Sequence, residues 1–172
     1  MKVVVVSDTH GNLEYLTELA NYLLSNDINT LIFLGDECED IEVVKHMFQE
    51  IIWVPGVYCE HYRDKNIPHR IIKEFNNTRV LITHTPTSHT NDYPDDIGPE
   101  KVTKQQVDIV LYGHTHIPNI EVKSDILWVN PGHLKKEDKK GYPPSFAVID
   151  FNLRKIELIN FINKEQIYSI EY

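Results

Sequence analysis

The chain opens on Lys2-Val3-Val4-Val5-Val6-Ser7-Asp8-Thr9-His10-Gly11-Asn12, and this stretch decides the fold class. Four β-branched residues in a row, with no polar alternation, predict a strand buried on both faces, as in a parallel sheet. The polar run from Ser7 to Asn12 then turns the chain. Leu13, Leu16, Leu19, Ala20, Leu23 and Leu24 recur at helical spacing, with Asn12 placed to cap that helix and Glu14 in its first turn. Working outward, Thr30 to Leu34 reads as a second buried strand. It leaves through the acidic loop Gly35-Asp36-Glu37-Cys38-Glu39-Asp40. A helix is expected over about Ile41 to Gln49 and a third strand over Ile51 to Val54. This β-α-β-α-β order implies a parallel sheet with right-handed crossovers.

The pattern changes after Val54. Arg70 to Glu74 and Arg79 to Thr83 are expected to pair through Asn76-Asn77. Thr85 to Pro99 reads as a long loop with three prolines, followed by a short helix over Pro99 to Gln106. Further strands are expected at Asp108 to Tyr112, Ile120 to Val122, Ile126 to Val129, Phe146 to Phe151 and Lys155 to Phe161, with one more toward Tyr172. No linker or repeat interrupts the 172 residues, so residues 1–172 are expected to form one α/β domain.

Composition excludes several function classes. Seventeen Lys and Arg against twenty-six Asp and Glu leave a net charge of −9, which argues against a broad nucleic-acid surface. No apolar run approaches the roughly 18 residues of a membrane span, and the valine run is too short for a signal-peptide core. Cys38 and Cys59 are the two cysteines. They are too few for a disulfide framework and point to a reducing, cytoplasmic setting. Self-association is left open. Nine histidines then need an explanation.

Polar residues collect where strands end: Asp8 and His10, Gly35-Asp36, His84, and Gly113-His114-Thr115-His116. In a mainly parallel α/β sheet the carboxyl ends of the strands form one rim, where ligands bind. Each fragment alone is ordinary turn chemistry, Gly-Asp most of all; the conjunction is specific. Two carboxylates with four imidazoles suit a borderline divalent ion such as zinc, manganese or iron, and are too rich in nitrogen for calcium. Six donors exceed one structural zinc. They fit a pair of ions that share a carboxylate, clamp a phosphoryl group and activate a water. Such ions would also reverse the local sign of an acidic chain toward phosphate.

Together, Asp8-Thr9-His10, Gly35-Asp36, His84 and Gly113-His114-Thr115-His116 resemble the calcineurin-like metallophosphoesterases, above all their small single-domain bacterial and archaeal phosphodiesterases. Asn130-Pro131-Gly132 and Tyr142-Pro143-Pro144-Ser145 fit the same pattern. The resemblance runs over nearly the whole chain. It implies a four-layer α-β-β-α sandwich, two mixed sheets packed face to face and flanked by helices. It implies hydrolysis of a small phosphate ester, a diester before a monoester, by a hydroxide activated between two divalent metal ions. Manganese is the expected metal, with zinc, iron and nickel as alternatives. The first ion would take Asp8, His10, Asp36 and His116. The second would take Asp36, His84 and His114, with Asp36 the bridging, catalytic carboxylate.

The chain departs from the family at one motif. The Asn expected after the third strand is missing from Val54-Pro55-Gly56-Val57-Tyr58-Cys59-Glu60-His61, and so is the His that assists the leaving group. Cys59, Glu60 and His61 are candidate substitutes; the alternative is that Val57 and Tyr58 simply pack over the site. The same fold also serves as a scaffold in the phosphoesterase-like subunit of the retromer coat, so a non-catalytic binding protein is the alternative function. His89, in the proline-rich loop, is a candidate substrate contact. His133 is read either as a phosphate contact or as a surface histidine, and His46 and His69 as structural or exposed. Cys38 is expected to pack beside Asp36, and Lys135 to Lys140 to form a solvated loop.

Overall fold

Both faces of the valine run are covered, and its four valines are fully buried. The computed structural model describes residues 1–172. Its strands are β1 (Lys2–Val6), β2 (Thr30–Phe33), β3 (Glu50–Trp53), β4 (Arg70–Phe75), β5 (Thr78–Thr83), β6 (Ile109–Leu111), β7 (Asn119–Lys123), β8 (Ile126–Asn130), β9 (Ser145–Asp150), β10 (Lys155–Asn160) and β11 (Gln166–Glu171). The one α-helix, α1, spans Leu13–Leu24. A six-stranded sheet has the order β11-β10-β9-β1-β2-β3, and a five-stranded sheet the order β4-β5-β6-β8-β7. Both are mixed. The β1-β2-β3 and β5-β6-β8 cores run parallel, while β9 to β11, β4 and β7 join antiparallel.

The alternation of β1 divides the core. Val3 and Val5 belong to a cluster of eighteen buried residues that includes Ile82, Leu111 and Val129 of the other sheet. Val4 and Val6 face the opposite way, onto Leu16, Leu19, Ala20 and Leu23 of α1. Each fully buried Val or Leu contributes on the order of 2 kcal/mol, so the two sheets are joined by burial rather than by a shared strand. The expected pair of mixed sheets, packed face to face, is what the chain forms. Its helical layers are thin: α1 and four short 3-10 turns.

Two expected helices are corrected. Ile41 to Gln49 is two 3-10 turns, Cys38–Val43 and Lys45–Met47. Asp40 is drawn back to accept from Thr9 Oγ1 at 2.6 Å and Gly11 N at 2.8 Å, and β-branched Ile41, Val43 and Val44 favour a helix poorly. Pro99 to Gln106 retains only the turn Pro99–Lys101, because Val102 is extended and Thr103 starts a new turn closed by Gln106 Oε1. The Asn76-Asn77 hairpin forms with both residues at positive φ, the signature of the turn that matches strand twist. Ser124-Asp125 makes the same turn between β7 and β8. No helix is long and apolar enough to cross a membrane.

Candidate metal centre

The parallel strands of both sheets deliver their exits to one rim. Asp8 N donates to Gly35 O, tying the exits of β1 and β2. Gly113 N donates to His84 O, tying those of β6 and β5. The sheets then meet through side chains. His84 Nδ1 lies 2.7 Å from Leu34 O, and His114 N donates to Asp8 Oδ2 at 2.9 Å. Gly113 permits this approach, since a Cβ there would fall 1.9 Å from Ser7 Oγ and 2.7 Å from Asp8 Oδ2. Gly56 does the same for Asp36: its Cβ would lie 2.4 Å from Asp36 Cα.

Asp8, His10, Asp36, His84, His114 and His116 converge on that rim. Asp8 gathers with His10 and His116, and also with Asp36 and His84, the donor atoms of each group lying within 4.8 Å of one another. His10 Nδ1 is 2.6 Å from Asp36 Oδ2, His10 Nε2 is 3.1 Å from His116 Nε2, and His84 Nε2 is 3.3 Å from His114 Nδ1. Five of the six sit at positive φ: Asp8, His10, Asp36, His114 and His116. That conformation costs a residue with a Cβ on the order of 1 kcal/mol or more and persists only where the surroundings enforce it.

Outer contacts decide which ring nitrogens face inward. His84 gives its Nδ1 proton to Leu34 O, and His116 places Nδ1 2.7 Å from Asp138 Oδ1, so each presents Nε2 to the centre. A His116 hydrogen bond to Asp8 and then Asp138 raise the His116 pKa despite its burial. Burial, then the neighbouring His84, lowers that of His114 and favours its neutral, lone-pair-bearing form. Burial opposes ionisation of Asp8, but His116, the charge of His84 and Ser7 outweigh it and hold the carboxyl below its ordinary range. Partial burial, then Asp36, raises Glu37, which joins His10 and Asp36 at the rim.

These residues fit a divalent cation. Asp36 Oδ2 is buried and has no hydrogen-bond partner; the 2.6 Å approach of His10 Nδ1 is close without being aligned as one. A buried carboxylate oxygen left without a donor is costly, and here it stands among imidazole lone pairs. Asp8 Oδ2 is already engaged by Ser7 Oγ and His114 N, so Asp36 is the carboxylate freer to bridge.

The other sequence candidates separate. His89 reaches the rim: its ring lies 6.1 Å from that of His114 and 5.9 Å from that of Tyr58. His133 is fully buried, not a surface residue. Nδ1 accepts from Lys135 N and Nε2 lies 3.1 Å from Tyr142 O, so both ring nitrogens serve the backbone. Glu60 is exposed, while Cys59 and His61 gather with Glu39 and not with Asp36 or His84. Val57 is buried and Tyr58 exposed at the place of the missing Asn. Cys38 packs beside Asp36 as expected, Sγ 3.7 Å from its carbonyl; burial, then Cys59, pushes its thiol well above the usual range. His69 is buried between Tyr62 and Tyr93, and His46 is exposed.

Asp138 was missed. Its segment Lys135 to Lys140 reads as solvated charge, yet the Asp138 side chain is only 5% exposed and holds His116. Nothing local in the sequence marks it. Ser145 was legible as part of a motif but not in its role: Oγ donates to Pro131 O at 2.7 Å, pinning the loop that carries His133.

Several known proteins resemble the chain, among them two phosphodiesterases and a Vps29. It is 25% identical over 182 residues to the phosphodiesterase YfcE of Escherichia coli, covering 93% of each chain. Over 145 residues it is 24% identical to the phosphodiesterase MJ0936 of Methanocaldococcus jannaschii, covering 77% of this chain and 83% of that one. Among solved structures, E. coli YfcE superposes with a TM-score of 0.75 at 21% identity, over 99% of this chain and 98% of that one. A single mutant of Vps29 from Entamoeba histolytica superposes with a TM-score of 0.73 at 17% identity, over 100% and 99%. At these identities the structural likeness establishes the fold. The family model for the calcineurin-like phosphoesterase superfamily domain matches residues 1–154, and the chain belongs to that superfamily.

Proposed function

We propose that this chain is a divalent-metal-dependent phosphodiesterase. The observation that carries the reading is the buried Asp36 Oδ2, which has no aligned hydrogen bond and stands 2.6 Å from His10 Nδ1 among imidazoles whose far nitrogens are fixed by Leu34 O and Asp138. Asp8, His10, Asp36 and His116 would hold one ion, and Asp36, His84 and His114 a second. Divalent ions there, manganese first among them, supply Lewis acidity toward phosphoryl oxygens and lower the pKa of water.

The chain's own residues do the rest. His84 and His116 keep Nε2 free by spending Nδ1 elsewhere. A groove of about 560 Å3 runs from Thr9 and His10 past Asn12 and Glu14 to Lys135 and Lys136. It gives room to one arm of a diester; Glu14 and Glu137 balance its two lysines, and Lys136 pairs with Glu14 at 2.9 Å. His89 borders the centre on the side of His114; its Nδ1 accepts from Asn91 N, which leaves Nε2–H as a donor toward a substrate oxygen. The two unbridged cysteines fit a cytoplasmic setting, and the names of YfcE and MJ0936 support the diester class.

Purified chain with manganese should hydrolyse bis-p-nitrophenyl phosphate faster than p-nitrophenyl phosphate. Asp36→Asn should lower that rate by about 100-fold or more, the scale of losing a group that stabilises transition-state charge. Activity against neither ester would sink the proposal. A second reading, a scaffold without turnover, is favoured by Val57 and Tyr58 at the place of the missing Asn and by the likeness to Vps29. Metal analysis separates the two: about two manganese ions per chain supports the enzyme, and no manganese after incubation with it supports the scaffold.

A further inference from the structure

Beside the rim, the loops that leave β2 and β3 bring together a second set of donors that the proposed reaction does not use. Cys59 Sγ, a His61 ring nitrogen and a Glu39 carboxylate oxygen lie within 4.8 Å of one another, with His61 Nε2 3.7 Å from Glu39 Oε1. The Cys38 thiol neighbours that of Cys59 and bonds to Asp36 O at 3.7 Å. A cleft of about 310 Å3, lined by Cys38, Glu39, Trp53 and His61 among others, gives access from solvent. We propose that Glu39, Cys59 and His61 form a separate zinc site in which Cys59 is the one thiolate ligand.

The chemistry of the donors argues for this. Around tetrahedral zinc, ligand atoms stand roughly 3.3–3.8 Å apart, given bonds of about 2.0–2.3 Å. The Glu39–His61 spacing of 3.7 Å lies a few tenths of an ångström above that of a nitrogen–oxygen pair, and a small change of the exposed Glu39 and half-exposed His61 side chains closes the rest. Sulfur divides this cluster from the rim, whose donors are all nitrogen and oxygen. Soft thiolate selects zinc, whereas carboxylate and imidazole accept manganese. One chain would therefore sort two metals between neighbouring places. The position has a consequence for the rim as well. Gly56 is packed on the Asp36 backbone, and Cys59 lies three residues beyond it. An ion bound between Glu39 and Cys59 would tie the loop carrying Asp36 to the loop packed against it.

Cobalt(II) is the probe, because only a thiolate ligand gives it an intense near-ultraviolet sulfur-to-cobalt charge-transfer absorption. The full chain is titrated under a reductant that keeps both thiols free. The expected result is that band, displaced by zinc, present in the wild type and in Asp36→Asn, and lost in Cys59→Ser. His61→Ala, at a half-exposed position that leaves the core intact, should weaken cobalt binding by more than the roughly tenfold that loss of an outer partner costs. Absence of the band at saturating cobalt, or its survival in Cys59→Ser, would overturn the proposal whatever the esterase assay shows.

Discussion

Asp138 shows how one side chain acquires a role that its neighbours in sequence hide. Four lysines surround it between Lys135 and Lys140, yet its carboxylate points inward to His116 Nδ1 and accepts Lys140 N as well. It fixes the tautomer and the direction of a ring that must present Nε2 to the rim. Asp138→Asn should therefore raise the manganese concentration for half-maximal activity by about tenfold while leaving the melting temperature nearly unchanged. An unaltered metal dependence would remove Asp138 from the centre. The five donors at positive φ belong to the same scale. Each is a local conformation that the chain would avoid alone, held by contacts such as Asp8 N to Gly35 O and the Asp40 clamp on Gly11.

Elements meet at the rim only where the backbone allows it. Gly56 lets the β3 exit lie against Asp36, and the atoms a Cβ would strike are backbone atoms that cannot turn aside. Gly56→Ala should cost about 1–3 kcal/mol of stability and most of the esterase activity, read by denaturant unfolding and by turnover. Gly11→Ala is the contrast. Nothing lies within 4 Å of its Cβ, so only its positive φ is taxed, by about 1 kcal/mol. Entry to β6 is fixed by charge. Asp108 accepts from Arg79 N and Arg79 Nε and pairs with Lys104 at 2.9 Å. Partial burial raises its pKa, but Arg79 and Lys104 prevail and hold it well below 3.8. A depressed carboxylate lends stability that is present above its unfolded pKa and is lost as pH falls through the folded one. The melting-temperature advantage of wild type over Asp108→Asn should thus be full at pH 7 and shrink below about pH 4. Solvent around the pair keeps it below about 1 kcal/mol.

At the scale of the whole molecule, the eighteen-residue cluster spans both sheets, so neither sheet keeps its core without the other. We propose that the two unfold as one cooperative domain. Trp53 stands in β3 of the six-stranded sheet and Trp128 in β8 of the five-stranded one, and there is no other tryptophan. Urea transitions followed by fluorescence in Trp53→Phe and in Trp128→Phe should each coincide with loss of circular dichroism in the same variant. A probe-dependent midpoint would divide the chain into two units.

The valine run, the leucine spacing of α1 and the Asn-Asn hairpin were readable directly, because burial on both faces, helical periodicity and turn chemistry leave local marks. So was the convergence of Asp8, His10, Asp36, His84, His114 and His116, since strand exits of a parallel sheet share one rim. Helical expectations over Ile41 to Gln49 and Pro99 to Gln106 failed where side chains such as Asp40 were claimed by distant partners. Placing His133 in the interior, Asp138 against His116, and Cys59 and His61 beside Glu39 depended on how loops far apart in sequence fold over one another. Sequence carried what short-range periodicity and polar punctuation encode. The orientation of the centre was decided by tertiary packing, because hydrogen bonds to far-off backbone and carboxylate groups choose which nitrogen of each ring faces inward.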